Sequence, residues 1–333
     1  HLISYKTLDE AIEIFNSTEY ALTGGIFCQS QDDITYMVPK LEAGNIYVNR
    51  PSTGARVAIE PFGGFKMSGT GPKAGGVDYL YKFNRKLKRF DNISLKEDIT
   101  SDSVPQCIAS TSKLSRQRRI YNVKRLLTQL INQYESYFGE IIEYDKHKLE
   151  NFKKALTDDE FDLDQRDFPN RYIPGQISFT RRDMSMAYSG VLIDGSGELS
   201  IQPVIDVLIN LTLGNGVNIL SSNSVIFTKW EVICGLAYSS GHSPYNLTLE
   251  LASDSNIAKS LADQYFDFVI LVNDDCPAIF KESIMNRDFS KGLTRVIHSG
   301  DNASWMQGLA SFSHARSFAI NTMRHGAPLD LEL

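Results

Sequence analysis

A loop rich in small residues is the first place where this sequence could do chemistry. From Arg50 to Gly76 the chain reads RPSTGARVAIEPFGGFKMSGTGPKAGG. Gly54 and Ala55 carry little or no side chain, so their backbone N–H groups can come close to an anion. The same small residues also suit a plain tight turn between two strands, and residue type alone leaves both readings open. A thiol nucleophile would need a thiolate and a neighbouring base. Cys28 follows Gly25-Ile26-Phe27 on an apolar, strand-like run and reads as a small core residue. Cys276, in Asn273-Asp274-Asp275-Cys276-Pro277, is the other candidate thiol. Gly214-Asn215-Gly216 is too short to be a dinucleotide fingerprint, so no cofactor-binding residue is assigned in this chain. The four cysteines are far apart, with no CxxC pair and no Cys/His cluster. That argues against a zinc site and against a disulfide framework, and no metal ligand is assigned.

The bulk numbers set the frame. A length of 333 residues leaves room for two domains with cores of their own. A net charge of −6 gives no basic surplus for nucleic acid. No apolar run reaches the ~18–20 residues of a membrane span. Val204 to Leu220 comes nearest, and Asp206, Asn210 and Asn215 interrupt it. The expectation is a soluble chain in a reducing, cytoplasmic setting. It opens on His1-Leu2-Ile3-Ser4-Tyr5, with no initiator Met or signal peptide, and reads as a protein cut in mid-domain.

The elements that must position the loop follow from periodicity. Apolar spacing predicts helices over 8–19 and 32–41, with short strands at Gly25–Cys28 and Ile46–Val48. Tyr79 to Phe90 alternates apolar and basic residues, as a strand exposed on one side does. Residues 91–112 read as a linker, followed by helices over 113–138 and 145–156. Ile177 to Ala187 could be a hairpin projecting from the body. Beyond it, strands at 191–193, 217–220, near Val225, 247–251 and 268–272 alternate with helices at 201–213, 228–240 and 255–265. That order predicts βαβ units and a mostly parallel sheet.

GNIYVNRPSTGARVAIEPFGGFKMSGTGPKAGGVDYL, over Gly44 to Leu80, together with Asn16 to Gly25, resembles the aldehyde dehydrogenase superfamily. It is closer still to the L-glutamate γ-semialdehyde (1-pyrroline-5-carboxylate) dehydrogenases, including the bifunctional proline-utilisation enzymes. The resemblance is dense over residues 1–90. It implies that Gly54 and Ala55 anchor the α-carboxylate of the substrate and that Phe62 packs on its methylene chain. Asn49 and Arg50 are expected to shape the loop. In the family the nucleophilic cysteine, the glutamate base and nearly all NAD contacts lie upstream of the Leu2 strand. No catalytic residue is therefore assigned here, and the chain alone is expected to be inactive.

The C-terminal end echoes this motif. Phe318-Ala319-Ile320-Asn321 with Gly326-Ala327 repeats Ile46-Tyr47-Val48-Asn49 with Gly54-Ala55 at the same spacing, and Gly292-Leu293-Thr294 stands for Ala21-Leu22-Thr23. The expected fold class is α/β: the end of an aldehyde dehydrogenase catalytic domain, then a second, truncated aldehyde-dehydrogenase-like (Rossmann-like) domain. Cys276 lies too close to Leu293 to be that copy's nucleophile. His325, in place of Thr53, reads as a surface histidine or a contact to a partner domain. The expected division is 1–90 for the catalytic-domain tail with its oligomerisation strand, 91–170 for linker and helices, and 171–333 for the non-catalytic unit. In the larger proline-utilisation proteins such a unit follows the dehydrogenase, and the run from Ile173 to Tyr188 resembles the flap that covers a neighbouring active site or tunnel.

The resemblance implies a parent that oxidises L-glutamate γ-semialdehyde to glutamate with NAD, and that uses FAD if it also carries a proline dehydrogenase half. This chain would supply the substrate anchor and a lid in a homo-oligomer. The alternatives are a structural module for dimerisation and tunnel sealing, or the tail of a monofunctional semialdehyde dehydrogenase.

Overall fold

The computed structural model describes residues 1–56, 59–69, 71–76, 78–80, 104–106, 109–139, 143–156, 176–182, 188–272, 278–287, 294–301, 305–321, 323–324 and 327–328. The expected strand at 79–90 falls almost wholly outside these residues. So do Cys276, His325, Gly326 and the stretch 173–175.

The N-terminal elements are short. Helix α1 (Leu8–Asn16) is capped by the Thr7 hydroxyl, which accepts from the Glu10 N–H. It stops before the expected residue 19. The Asn16 side chain turns away to bond the Lys40 carbonyl and the Glu42 N–H, and the Ser17 hydroxyl bonds Ile14. Strands β1 (Tyr20–Ala21) and β2 (Thr23–Ile26) follow, then helix α2 (Gln31–Met37). Helix α2 ends short of Leu41 at Pro39, which has no N–H to donate to the Thr35 carbonyl and continue the ladder. Strand β3 (Asn45–Val48) is wholly buried, and β4 (Phe65–Lys66) pairs antiparallel with β1.

Helix α3 (Arg116–Asn132) is capped by Ser115 and breaks at Gln133, so the single helix expected over 113–138 continues separately as α4 (Tyr134–Phe138). Helix α5 (Glu143–Ala155) follows. Strand β5 (Gln176–Arg182) is the edge strand of a sheet, and the rest of the expected hairpin, 183–187, lies outside the described residues.

From residue 188 the chain winds a parallel sheet. Its elements are β6 (Ser189–Ile193), α6 (Ile201–Leu213), β7 (Gly216–Ser221), α7 (Ser224–Ser239), β8 (Leu247–Leu251), α8 (Asp254–Asp263), β9 (Phe268–Leu271), α9 (Ala278–Met285) and β10 (Arg295–His298). The five strands lie in the order β10-β9-β6-β7-β8, all parallel. Counted by appearance this is 3-2-1-4-5, the doubly wound order of Rossmann-like folds. Strand residues alternate between two cores. Leu192, Ile219, Phe268 and Ile270 meet α3, α5, α6 and α7, while Val191, Leu220, Val269 and Leu271 meet α8 and α9. Helices on both faces are what a parallel sheet requires. The expected strand near Val225 is instead the first turn of α7. The Asn223 side chain accepts from the N–H groups of Val225 and Ile226, and this cap overrides the strand preference of Val225.

Helix α10 (Trp305–Phe312) then leads into strand β11 (Ala315–Asn321), which leaves this sheet for another. A four-stranded sheet runs β2-β3-β11-β5. The echoed segments meet in register: Phe318 sits opposite Ile46, Ala319 opposite Tyr47 and Ile320 opposite Val48, in parallel. Strand β5 closes the other side, antiparallel to β11. Ile46, Val48, Phe318 and Ile320 share one apolar cluster with Ile12, Ile34 and Val38 of the covering helices. The Arg316 guanidinium caps the carbonyls of Val38 and Pro39 at 2.5 and 3.2 Å, where a cation suits a helix end. The Ser317 hydroxyl bonds the Pro61 carbonyl at 2.6 Å. The first and last segments of the chain thus build one sheet and one core.

Phe318 is fully buried at the centre of that core. Phe318→Ala should cost about 3–5 kcal/mol, read as the shift in denaturant midpoint. A loss below about 1 kcal/mol would contradict a shared core.

Candidate functional site: the loop after strand β3

The loop that could take an anion starts where β3 ends. Asn49 has φ +54° and uses its side chain as a false strand partner. Its Oδ1 accepts from the Cys28 N–H and its Nδ2 donates to the Cys28 carbonyl, both at 2.9 Å. This is the shaping part that the sequence suggested for Asn49. Cys28 is half-buried beside β2, as a core residue would be.

The loop then turns outward. Gly54 is exposed with φ +81°, and a Cβ there would meet nothing within 4 Å. Glycine is needed at this position for its backbone conformation, not for space. Ala55 is half-buried. Phe62 is 36% exposed and pairs through its backbone with Ala74, with reciprocal bonds of 2.9 Å.

Two buried charged residues that sequence reasoning missed hold this loop down. The first is Lys73, 6% exposed. Its ammonium donates to the carbonyls of Gly44 (2.6 Å) and Gly63 (2.7 Å) and to Asn45 Oδ1 (2.9 Å). Three donors meet three acceptors, and the Phe62–Gly64 turn is stapled to the start of β3. The turn needs that closeness: a Cβ on Gly44 would lie 1.9 Å from the Gly63 carbonyl oxygen. The second is Glu60, 3% exposed, whose carboxylate accepts from Arg50 at 3.0 Å and lies 3.6 Å from Arg56. Arg50 also caps the Thr53 carbonyl at 3.3 Å. The only signal in the sequence was a lone acid and one of two lysines within a glycine-rich run, and neither shows its partners in one dimension.

Residues 1–87 match the aldehyde dehydrogenase family. The 1-pyrroline-5-carboxylate dehydrogenase of Bacillus licheniformis is 53% identical over 75 residues, which are 22% of this chain and 14% of that protein. The 1-pyrroline-5-carboxylate dehydrogenase 2 of Bacillus subtilis is 53% identical over 72 residues, again 22% of this chain and 14% of the relative. The chain therefore spans about a seventh of the length of these relatives. Among solved structures, Proline Utilization A from Corynebacterium freiburgense aligns with 97% of this chain and 25% of its own, at 18% identity and a TM-score of 0.48.

The family implies a nicotinamide cofactor, and the Rossmann-like order offers one place to test for it. That place is the turn after β6, beside the point where the strand order reverses. The turn does not fit a dinucleotide. The buried Asp194 carboxylate already takes the Ser196 N–H (3.0 Å), the Ser196 hydroxyl (2.5 Å) and the Trp230 indole N–H (2.8 Å). Burial pushes the Asp194 carboxyl above its ordinary range, and those hydrogen bonds pull it back. Gly214-Asn215-Gly216 is equally committed: Asn215 bonds the Tyr188 N–H, the Phe312 carbonyl and Asn210. Among the described residues no metal-binding cluster occurs, and no helix is long and apolar enough to cross a membrane.

Burial is the main cause that pulls the Lys73 ammonium down to about 7, and Arg316 adds repulsion. An unfolded chain would hold that proton up to the ordinary lysine range. Stability rises with pH wherever the unfolded state binds more protons. The stability of the wild type relative to Lys73→Met should therefore grow between pH 7 and 10, by up to about 1.4 kcal/mol per pH unit. A flat or falling difference, measured by denaturant titration, would mean that the three acceptors outweigh burial.

Proposed function

We propose that the chain is part of a dehydrogenase that oxidises L-glutamate γ-semialdehyde to glutamate with NAD in proline catabolism. The observation that carries this reading is the match of residues 1–87 to proteins named 1-pyrroline-5-carboxylate dehydrogenase. The substrate has an aldehyde at one end and an α-carboxylate with an ammonium at the other. Gly54 and Ala55 take the carboxylate on their backbone N–H groups, and Phe62 covers the methylenes between. The left-handed conformation at Gly54 supports this, since it bends the loop outward with no side chain in the way. NAD accepts the hydride in the full protein, and the thiol, the base and the cofactor pocket lie in its other segments. No residue here acts on the reacting carbon, so the chain alone is inactive.

The proposed full protein is a bifunctional proline-utilisation enzyme, cytoplasmic and homo-oligomeric, with an FAD-dependent proline dehydrogenase half. Residues 171–333 then form a non-catalytic unit after a catalytic tail at 1–90 and a helical connection at 91–170. A second reading, an assembly module, is favoured by one observation: β5 and β11 lie in the same sheet as β2 and β3. Under it the C-terminal unit braces the dehydrogenase as well as covering it.

The test is Gly54→Val in the full-length enzyme, with two aldehydes. A branched residue resists φ near +81°, so the anchor should be lost. The expected result is a fall of about 10²-fold in kcat/KM for the semialdehyde and less than about threefold for propanal, which has no α-carboxylate. An equal loss for both substrates would overturn the assignment of the anchor.

A further inference from the structure

Gln176 opens strand β5, more than a hundred residues beyond the loop after β3, yet its side chain lies inside the network that holds that loop. Its Oε1 accepts from Arg50 Nη1 at 2.9 Å and from Arg56 Nη2 at 2.8 Å. Its Nε2 donates to Glu60 Oε1 at 2.6 Å and to the Ser178 hydroxyl. A side-chain amide has two acceptor sites and two donor hydrogens, and all four are used. Ser178, 5% exposed, donates in turn to Glu60 Oε1 at 3.1 Å. Glu60 Oε2 also accepts from the Arg56 N–H at 3.3 Å.

The arrangement has a direction. Arg50 and Arg56 flank residues 51–55, so the two guanidinium groups mark the two ends of the segment that carries Gly54 and Ala55. Glu60 alone grips them unequally, at 3.0 Å for Arg50 and 3.6 Å for Arg56. The amide oxygen of Gln176 completes the grip by taking one N–H from each. The Arg56 side chain is 40% exposed, and by itself an ion pair so open to water is worth little. Gln176 converts a loose pair into a two-ended clamp. Backbone pairing holds the amide in place: Gln176 sits opposite Asn321 and Ser178 opposite Ala319 in the β5–β11 ladder. Loop conformation thus depends on a strand more than a hundred residues further along the chain.

We propose that Gln176, supported by Ser178, is a positioning residue for the substrate-carboxylate anchor. It fixes both ends of the 50–56 loop and does not touch substrate. This deepens the reading given under Proposed function and rests on it. A carboxylate anchor works only if its N–H groups are already aimed, because ordering them on binding would use up binding energy. A loop free at one end would therefore hold the semialdehyde weakly while leaving the distant reacting groups intact.

The experiment uses the full-length enzyme with Gln176→Leu, and Ser178→Ala as a milder variant should the first fold poorly. Two readouts are taken: steady-state kinetics with L-glutamate γ-semialdehyde and NAD, and limited trypsin cleavage after Arg56, the Arg50 bond being closed to trypsin by Pro51. The expected result is a KM for the semialdehyde raised about tenfold in Gln176→Leu. The kcat and the KM for NAD should stay within about twofold, and cleavage should be faster. Ser178→Ala should move both readouts the same way, by less. Unchanged cleavage in both variants would overturn the clamp. Faster cleavage with an unchanged semialdehyde KM would leave the clamp standing and overturn the anchor reading beneath it.

Discussion

The parallel pairing of β3 with β11 is the contact on which the rest of this structure depends. It brings residues 45–48 and 317–320 side by side. Phe318 and Ile320 lie beside Ile46 and Val48, and together they fill the core beneath α1 and α2. The long chain between the two strands must be closed into a loop before the contact forms, and that closure is costly in entropy. Apolar burial along two strands, the Arg316 cap on α2 and the Ser317 bond to Pro61 offset that cost. The consequence is architectural. The N-terminal segment and the strands that flank the Rossmann-like unit, β5 and β11, share a sheet.

The candidate site hangs from that sheet. The loop leaves the end of β3, and its glycine tip is free, while its two flanking arginines are gripped from below. Lys73 fixes one side of the following turn, and Glu60 with Gln176 fixes the other. Lys73 and Glu60 are buried and Gln176 half-buried, each hydrogen-bonded, which is the condition under which a buried polar group adds rigidity rather than cost. The turn after β6 shows the same economy put to a different end. There the buried Asp194 carboxylate takes the donors of Ser196 and Trp230.

Much of this was legible in one dimension. The bounds of α6 and β8 follow from apolar periodicity, and the alternation of strands and helices gave the parallel sheet. The shared spacing of Asn49 with Gly54-Ala55 and Asn321 with Gly326-Ala327 pointed to a duplicate. That spacing could not say that the two copies would pair with each other. Pairing depends on which strands meet in space, and Ile46 and Phe318 carry no mark of it. The strand expected near Val225 was lost to a cap only two residues away, where one Asn223 side chain outweighed the preference of a branched residue. Nothing in residues 177–182 marks β11, more than a hundred residues on, as the partner that β5 takes. Lys73, Glu60 and Gln176 were missed because each acts through partners far along the chain or through backbone carbonyls.

The most direct measurement is hydrogen exchange of individual backbone amides in β3 and β11 under native conditions. The account places both strands in one cooperative unit. Amides of 45–48 and 315–321 that donate into the sheet, such as that of Ser317 to Gly44, should therefore share a single opening free energy. If β3 stays protected while β11 exchanges at the rate of an exposed loop, the two segments are not one sheet and the account fails.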